Sequence, residues 1–170
     1  MKTLRYLFVL ALLGAFVNTS TVNAQAYQSA VGLRLGVPLA VSYKTFINET
    51  SAIEAFVGYR SRTVLGFGWT QFNVVGLYQI HNEINEGFQW YYGGGAGVYI
   101  YSFDDGFGFD GEDDGTLSIG ISGVVGIEYV FPDTPIAISA DWIPTFFVNG
   151  FGNGFGAGFG SLGVRYLLGR

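Results

Sequence analysis

The chain has 170 residues, of which 49% are hydrophobic, 18% aromatic and 12% charged, with 27 glycines, no cysteine and a formal net charge of −5. That apolar share excludes a disordered chain, the missing cysteine excludes a disulfide scaffold or a thiolate metal centre, and the negative charge argues against nucleic acid as a partner. Much apolar surface with few charges points to a polypeptide whose outside need not face water.

Residues 1–24 read as a cleavable signal peptide. Lys2 and Arg5 precede the apolar run Leu7–Val17, and Val22-Asn23-Ala24 supplies small residues before a cut. The run of 11 residues is too short to cross about 30 Å of hydrocarbon as a helix. No cysteine follows the cut to carry a lipid anchor. Losing Lys2 and Arg5 leaves six of the eight basic residues against 13 acidic ones, a net charge of −7 for a chain that leaves the cytoplasm.

Residues 25–170 form one predicted domain in which apolar positions recur with period two, the spacing of a strand with two different faces. Val31, Leu33, Leu35 and Val37 share one face, against Gly32, Arg34 and Gly36. A tight link at Pro38-Leu39 leads to Val41, Tyr43, Thr45 and Ile47, against Ser42, Lys44 and Phe46. After a short link over 48–51 come Ile53, Ala55, Val57 and Tyr59, against Glu54, Phe56, Gly58 and Arg60. A longer link over 61–69 precedes Phe72, Val74, Tyr78 and Ile80, against Asn73, Val75, Leu77, Gln79 and His81. Beyond a short link over 82–87, residues 90–102 are so rich in Tyr and Gly that their facing is ambiguous; Trp90, Tyr92, Ala96, Val98 and Ile100 are assigned to the apolar side. A long link over 103–115 leads to Leu117, Ile119, Ile121, Val125, Ile127 and Tyr129, against Ser118, Ser122 and Glu128. A short link over 132–135 leads to Ile136, Ile138, Ala140 and Trp142, against Ala137, Ser139 and Asp141. After a longer link over 149–158, Leu162, Val164, Tyr166 and Leu168 oppose Ser161, Gly163 and Arg165.

The sum is eight strands of roughly ten residues, the length that crosses a membrane when tilted. Short links alternate with longer ones, as short periplasmic turns alternate with external loops in outer-membrane barrels. Helices are not supported: the uncharged stretch 142–164 holds Pro144 and seven glycines after Phe147, and no 3.6-residue period appears.

A soluble barrel of lipocalin type would alternate in the same way, with its apolar face inward. Charge decides against it. The polar faces carry Arg34, Lys44, Glu54, Arg60, Glu128, Asp141 and Arg165 as their charged members, too few for a water-facing wall. The large apolar side chains would also overfill an eight-stranded interior. The apolar faces are therefore expected to meet lipid, with Tyr43, Tyr59, Tyr78, Trp90, Tyr129, Trp142 and Tyr166 in aromatic girdles. Hydrocarbon offers no hydrogen-bond partner to a sheet edge, so the sheet must close on itself.

With its signal peptide, its alternating segments and its closing strand Gly160-Ser161-Leu162-Gly163-Val164-Arg165-Tyr166-Leu167-Leu168, the chain resembles the small eight-stranded outer-membrane β-barrels of the OmpX and OmpA-barrel type. The resemblance covers essentially all of residues 27–170 and implies an all-β, antiparallel, up-and-down transmembrane barrel. It implies the outer membrane of a Gram-negative bacterium, and no peptidoglycan-binding domain after Arg170. Outer-membrane lipids, lipopolysaccharide and the barrel-assembly machinery are its implied partners. A monomer is expected, and no cofactor or metal.

The seven polar-face charges are expected to form a structural network plugging the lumen, since lone charges there are costly. The acidic loop Phe103–Gly115 offers hard oxygen ligands but lacks the spacing of a twelve-residue Ca²⁺ loop, so a solvated external loop is expected. The Gly-aromatic stretches 66–69, 107–109 and 151–159 suit either a sticky surface or an outer girdle. Lipid A acyltransferases and deacylases exist among such barrels, but the single histidine, His81, lies beside a periplasmic turn with no serine near it in sequence, so no enzyme is expected. The expected function is a non-enzymatic surface protein for envelope integrity or adhesion, with a narrow channel or a carrier of small hydrophobic compounds as the alternative.

Overall fold

The computed structural model describes residues 27–64, 67–105, 116–149 and 154–169. The signal peptide 1–24 and most of the acidic loop, 106–115, lie outside them.

The strands are β1 (Ser29–Gly36), β2 (Leu39–Phe46), β3 (Ser51–Val64), β4 (Phe67–Asn85), β5 (Phe88–Asp105), β6 (Thr116–Val130), β7 (Ile136–Phe147) and β8 (Gly154–Leu168). They form a closed barrel in sequence order. Every neighbouring pair is antiparallel, and β1 meets β8 from Ser29↔Leu168 to Gly36↔Ser161. Closure gives each central backbone group a partner in an adjacent strand, which a bilayer cannot provide.

The alternation read from sequence sets the two faces. Leu33, Val41, Val57, Val74, Val98, Ile119 and Val164 are all exposed on the outside. They form one row across the wall through the pairs Leu33↔Val41, Val41↔Val57, Val57↔Val74, Val74↔Val98 and Val98↔Ile119, extended the other way by Leu33↔Val164. The ambiguous strand β5 is resolved as assigned: Tyr92, Val98 and Ile100 face out, whereas Tyr91, Tyr99 and Tyr101 are buried in the lumen.

Five expectations on length are corrected. The strands run from 8 to 19 residues rather than about ten. The link expected over 61–69 is strand apart from residues 65–66, and residues 154–159 belong to β8 rather than to a loop. Phe103–Asp105 likewise end β5, and the short link expected over 82–87 shrinks to 86–87 because β4 runs to Asn85. Cross-strand pairing sustains these outer ends without an apolar face, so a polar or glycine-rich sequence there looks like loop while remaining ladder.

The links at the end that holds both termini are tight. Glu86-Gly87 joins β4 to β5, with Gly87 at φ 75°, a conformation glycine adopts without penalty. Between β2 and β3, Asn48 Oδ1 accepts the backbone N–H groups of Thr50 (3.0 Å) and Ser51 (2.7 Å). At the other end, Val37-Pro38 alone joins β1 to β2, as tight as its sequence suggested. Pro144, which has no N–H to give, sits where the β7–β8 register shifts between Ile143 and Thr145.

Candidate functional site

The lumen is filled in three layers. Nearest the termini, Tyr27, Ala30, Phe46, Ala52, Val130, Ala137 and Leu167 form one apolar cluster. Toward the opposite end, Phe56, Val75, Tyr99, Val124, Ile143 and Phe147 belong to a second, with Trp69 packed against it. Between them lie the charges.

Each charged residue is delivered inward because its strand neighbours are the exposed apolar residues. Arg34 stands between Leu33 and Leu35, Lys44 follows Tyr43, Glu54 follows Ile53, and Arg165 stands between Val164 and Tyr166. The ion pairs link six of them into an alternating chain. Asp141 Oδ1 meets Arg34 Nη2 at 2.6 Å, and Arg34 Nη1 meets Glu54 Oε1 at 2.9 Å. Glu54 Oε1 also takes Arg165 Nη2 at 2.7 Å, Arg165 Nη1 meets Glu128 Oε2 at 2.9 Å, and Lys44 Nζ reaches the same oxygen at 3.0 Å. Three cations face three carboxylates, so the chain is neutral.

Polar neighbours complete the carboxylates. Tyr91 Oη donates to Asp141 Oδ2 at 2.7 Å and Ser161 Oγ to its Oδ1 at 2.7 Å. Gln79 Nε2 donates to Glu54 Oε2 at 2.7 Å. Gln89 Nε2 and Tyr27 Oη both donate to Glu128 Oε1, at 2.8 and 2.9 Å. Such saturation is what allows ions to persist away from water.

His81 lies buried in the lumen. Its ring stacks on Tyr91 at 4.9 Å, with Nδ1 3.1 Å from Gln89 Oε1 and Nε2 3.2 Å from Gln79 Oε1. Both glutamine nitrogens are committed to carboxylates, so both oxygens turn toward the ring. A neutral ring can donate to one of them; the doubly protonated ring donates to both.

Arg60 is placed apart from these six. It is half-buried near the end opposite the termini, with its guanidinium 4.8 Å over the Trp69 ring. A cavity of about 20 Å³ adjoins the layer beneath Pro38, touching Arg34, Phe56, Asn73 and Tyr99. That is room for about one water molecule. Among the described residues, no group of three or more His, Asp or Glu side chains is arranged to hold a metal ion.

Sequence reasoning did not name Tyr27, Gln79, Gln89, Tyr91 or Ser161 as partners of the charges. Gln79 and Ser161 sit on lumen faces at even spacing from His81 and Arg165, which was the available signal, whereas Gln89 and Tyr91 lie on the strand whose facing was ambiguous. Tyr27 precedes β1 and gave none.

No family model matches the chain, and no curated protein matches it. Among solved structures, neisserial surface protein A (NspA) superposes with a TM-score of 0.55 at 14% identity, over 82% of this chain and 93% of that one. Ail, the attachment invasion locus protein of Yersinia pestis, does so with a TM-score of 0.52 at 15% identity, over 82% of this chain and 93% of that one. The chain has the fold of the small eight-stranded outer-membrane β-barrels. A second structure of Ail, in complex with the heparin analogue sucrose octasulfate, gives a TM-score of 0.51 at 15% identity over 82% of this chain and 94% of that one. Within this outer-membrane barrel fold, the lumen contents described above belong to the present chain.

Proposed function

We propose that this protein is a non-enzymatic integral barrel of a Gram-negative outer membrane, with a sealed lumen and an outer rim that serves envelope integrity or adhesion. The observation that carries the reading is the Asp141–Arg34–Glu54–Arg165–Glu128–Lys44 chain lying between two apolar clusters. Water and ions would have to cross both apolar layers, and a solute would have to break the ion pairs between them. That packing supports a plug over the alternatives of a narrow channel or a carrier through the lumen.

The exposed apolar row supports contact with acyl chains of lipid and lipopolysaccharide, and the barrel-assembly machinery is the proposed route of insertion. A monomer suffices, because the closed sheet leaves no edge at membrane depth. Ail, named for attachment and invasion, lends the adhesion role a precedent in the same fold.

The test is conductance in planar bilayers together with a deletion strain. No unitary steps from the purified barrel, combined with loss of surface attachment or of detergent resistance in the strain, is the expected result. Steady ion conduction by the wild-type protein overturns the sealed-lumen reading.

A further inference from the structure

The outer wall of the barrel is not evenly filled. Two outward-facing rows cross it side by side from β5 to β1. One runs Phe88↔Tyr129↔Ile138↔Val164 and the other, two positions along each strand, Ile127↔Ala140↔Leu162↔Leu35. A groove of about 330 Å³ lies between them, floored at Ser139 and Gly163, which face the lumen. Ala140 opens it. Its methyl stands between Ile127 and Leu162, and a second depression of about 640 Å³, between Trp90 and Trp142, meets the same alanine. No charged side chain lines the groove.

The groove is a sloping track. Phe88 follows the Glu86-Gly87 turn at the end that holds the termini. Leu33 continues the first row beyond Val164 and is reached from β5 by two routes, from Phe88 through β6, β7 and β8, and from Val98 through β4, β3 and β2. Val98 lies ten positions beyond Phe88, so the row climbs away from the turn as it passes from β5 to β1. Four strand spacings of about 4.8 Å make roughly 19 Å of track. At a tilt of about 35–45° the track rises roughly 11–13 Å. One leaflet is about 15 Å deep, half of the hydrocarbon core. The groove therefore starts beside a turn and ends near mid-membrane, which is the course of one acyl chain entering from the terminus side.

Charge at the foot of the track selects the headgroup. The Val130 N–H donates to the Gly87 carbonyl at 2.7 Å, which brings the β4–β5 and β6–β7 links together. Glu86 and Asp133 stand exposed on these two links, and neither link carries Lys or Arg. A purely anionic headgroup is repelled there, whereas an ammonium group is attracted. Within hydrocarbon no hydrophobic force drives association, so packing decides what fills the groove. A chain inside it touches two walls and a floor, and on the convex wall only one side. A second barrel is itself convex and would bridge the groove rather than fill it.

We propose that the groove beside Ala140 is a binding site for one acyl chain of a phospholipid with an ethanolamine headgroup, in the leaflet on the terminus side. The chain lies between the rows from Phe88 to Leu35, and the ammonium faces Glu86 and Asp133. The site rests on the reading that this wall meets lipid.

The test uses the mature full-length barrel in a non-ionic detergent, read by native mass spectrometry. Phosphatidylethanolamine and phosphatidylglycerol with the same chains are titrated separately. The wild type is expected to retain phosphatidylethanolamine saturably and at least threefold more tightly than phosphatidylglycerol. A140F fills the groove from outside and weakens retention at least tenfold. A140L, a smaller filling, weakens it three- to tenfold and keeps the test open if A140F folds poorly. A55F, equally outward on β3, leaves retention within twofold. E86Q/D133N abolishes the headgroup preference and keeps the chain bound. The site is overturned by an absence of retained phospholipid, by equal retention in the wild type and A140L, or by a barrel dimer that A140F dissociates. It is equally overturned by a wild type without headgroup preference or a preference that E86Q/D133N leaves intact. A mature chain that dissolves without detergent overturns the lipid-facing reading itself; a barrel that needs detergent yet holds no phospholipid overturns this site alone.

Discussion

Arg165 and Glu54, which are 111 positions apart in the chain, meet at 2.7 Å with neither side chain reaching solvent. The contact spans the lumen from β8 to β3 and so ties the closing strand to the opposite wall. Glu54 is also the carboxylate that Arg34 shares, which makes it the central anion of the chain.

Removing that anion takes one of two carboxylates from each of two buried guanidinium groups, leaving Arg34 with Asp141 and Arg165 with Glu128, which Lys44 already shares. Glu54→Ala is expected to lower the unfolding free energy in detergent by about 3–5 kcal/mol, the cost of breaking a buried pair on one side only. Glu54→Gln keeps an acceptor oxygen and should lose less. Urea titration followed by heat-modified gel mobility measures both. Equal stability of Glu54→Ala and the wild type would show that the charges are better hydrated than their burial implies.

Loss of one carboxylate should weaken the plug without opening it, because the apolar layers on either side remain. Glu128→Ala strands Lys44 and one arm of Arg165, so its unfolding temperature in micelles is expected to fall. Its conductance in planar bilayers should stay at the wild-type baseline. A large rise in conductance would mean that the ion pairs themselves are the gate.

Gly126 marks how closely the lumen is packed. A β-carbon there would come 2.6 Å from the Tyr91 ring and 2.7 Å from both Tyr91 Oη and Asp141 Cβ. Gly126→Ala must push Tyr91 off Asp141, at a cost of about 1–3 kcal/mol for the overpacking. The tyrosine hydroxyl proton, held against the carboxylate at 2.7 Å, is the local reporter. Its exchange with water should quicken in the variant; unchanged exchange and stability would contradict the crowding.

The turn between β2 and β3 depends on one side chain. Asn48→Ala removes the acceptor of two backbone N–H groups, and about 1 kcal/mol of stability should go with it. Hydrogen exchange at Thr50 and Ser51 is expected to accelerate while that of Ile53 does not.

The faces of the strands were legible because a single alternation sets both of them: Leu33 outward fixes Arg34 inward, whatever the partner strand. Lengths were less legible. Residues 61–64 and 67–69 lack a clean apolar face, since strand outside the hydrocarbon has no need of one, so the β3–β4 hairpin read as a loop. The charges could be assigned to the lumen from strand parity, but which carboxylate each cation meets depends on register and tilt, and these are set by all eight strands together. Arg60 shares the parity of Glu54, yet it lies too far along β3 to join the buried chain and packs on Trp69 instead. Tyr91 was hidden by the run of tyrosines and glycines around it, where parity had two readings.

The orientation of the faces has its own test at Val57, exposed outside in the middle of the apolar row between Val41 and Val74. A charge there has no counter-ion and no water. Val57→Arg is expected to cost about 2–4 kcal/mol in a bilayer, the penalty for an arginine facing lipid near mid-depth. In detergent the loss should shrink, because micelles deform around a charge more readily than a bilayer. The adjacent position provides the contrast: Phe56→Leu, one residue along and facing the lumen, changes only packing and should lose about the same stability in either environment. If Val57→Arg were as stable as the wild type in lipid vesicles, the row from Leu33 to Ile119 would not be the surface that meets hydrocarbon.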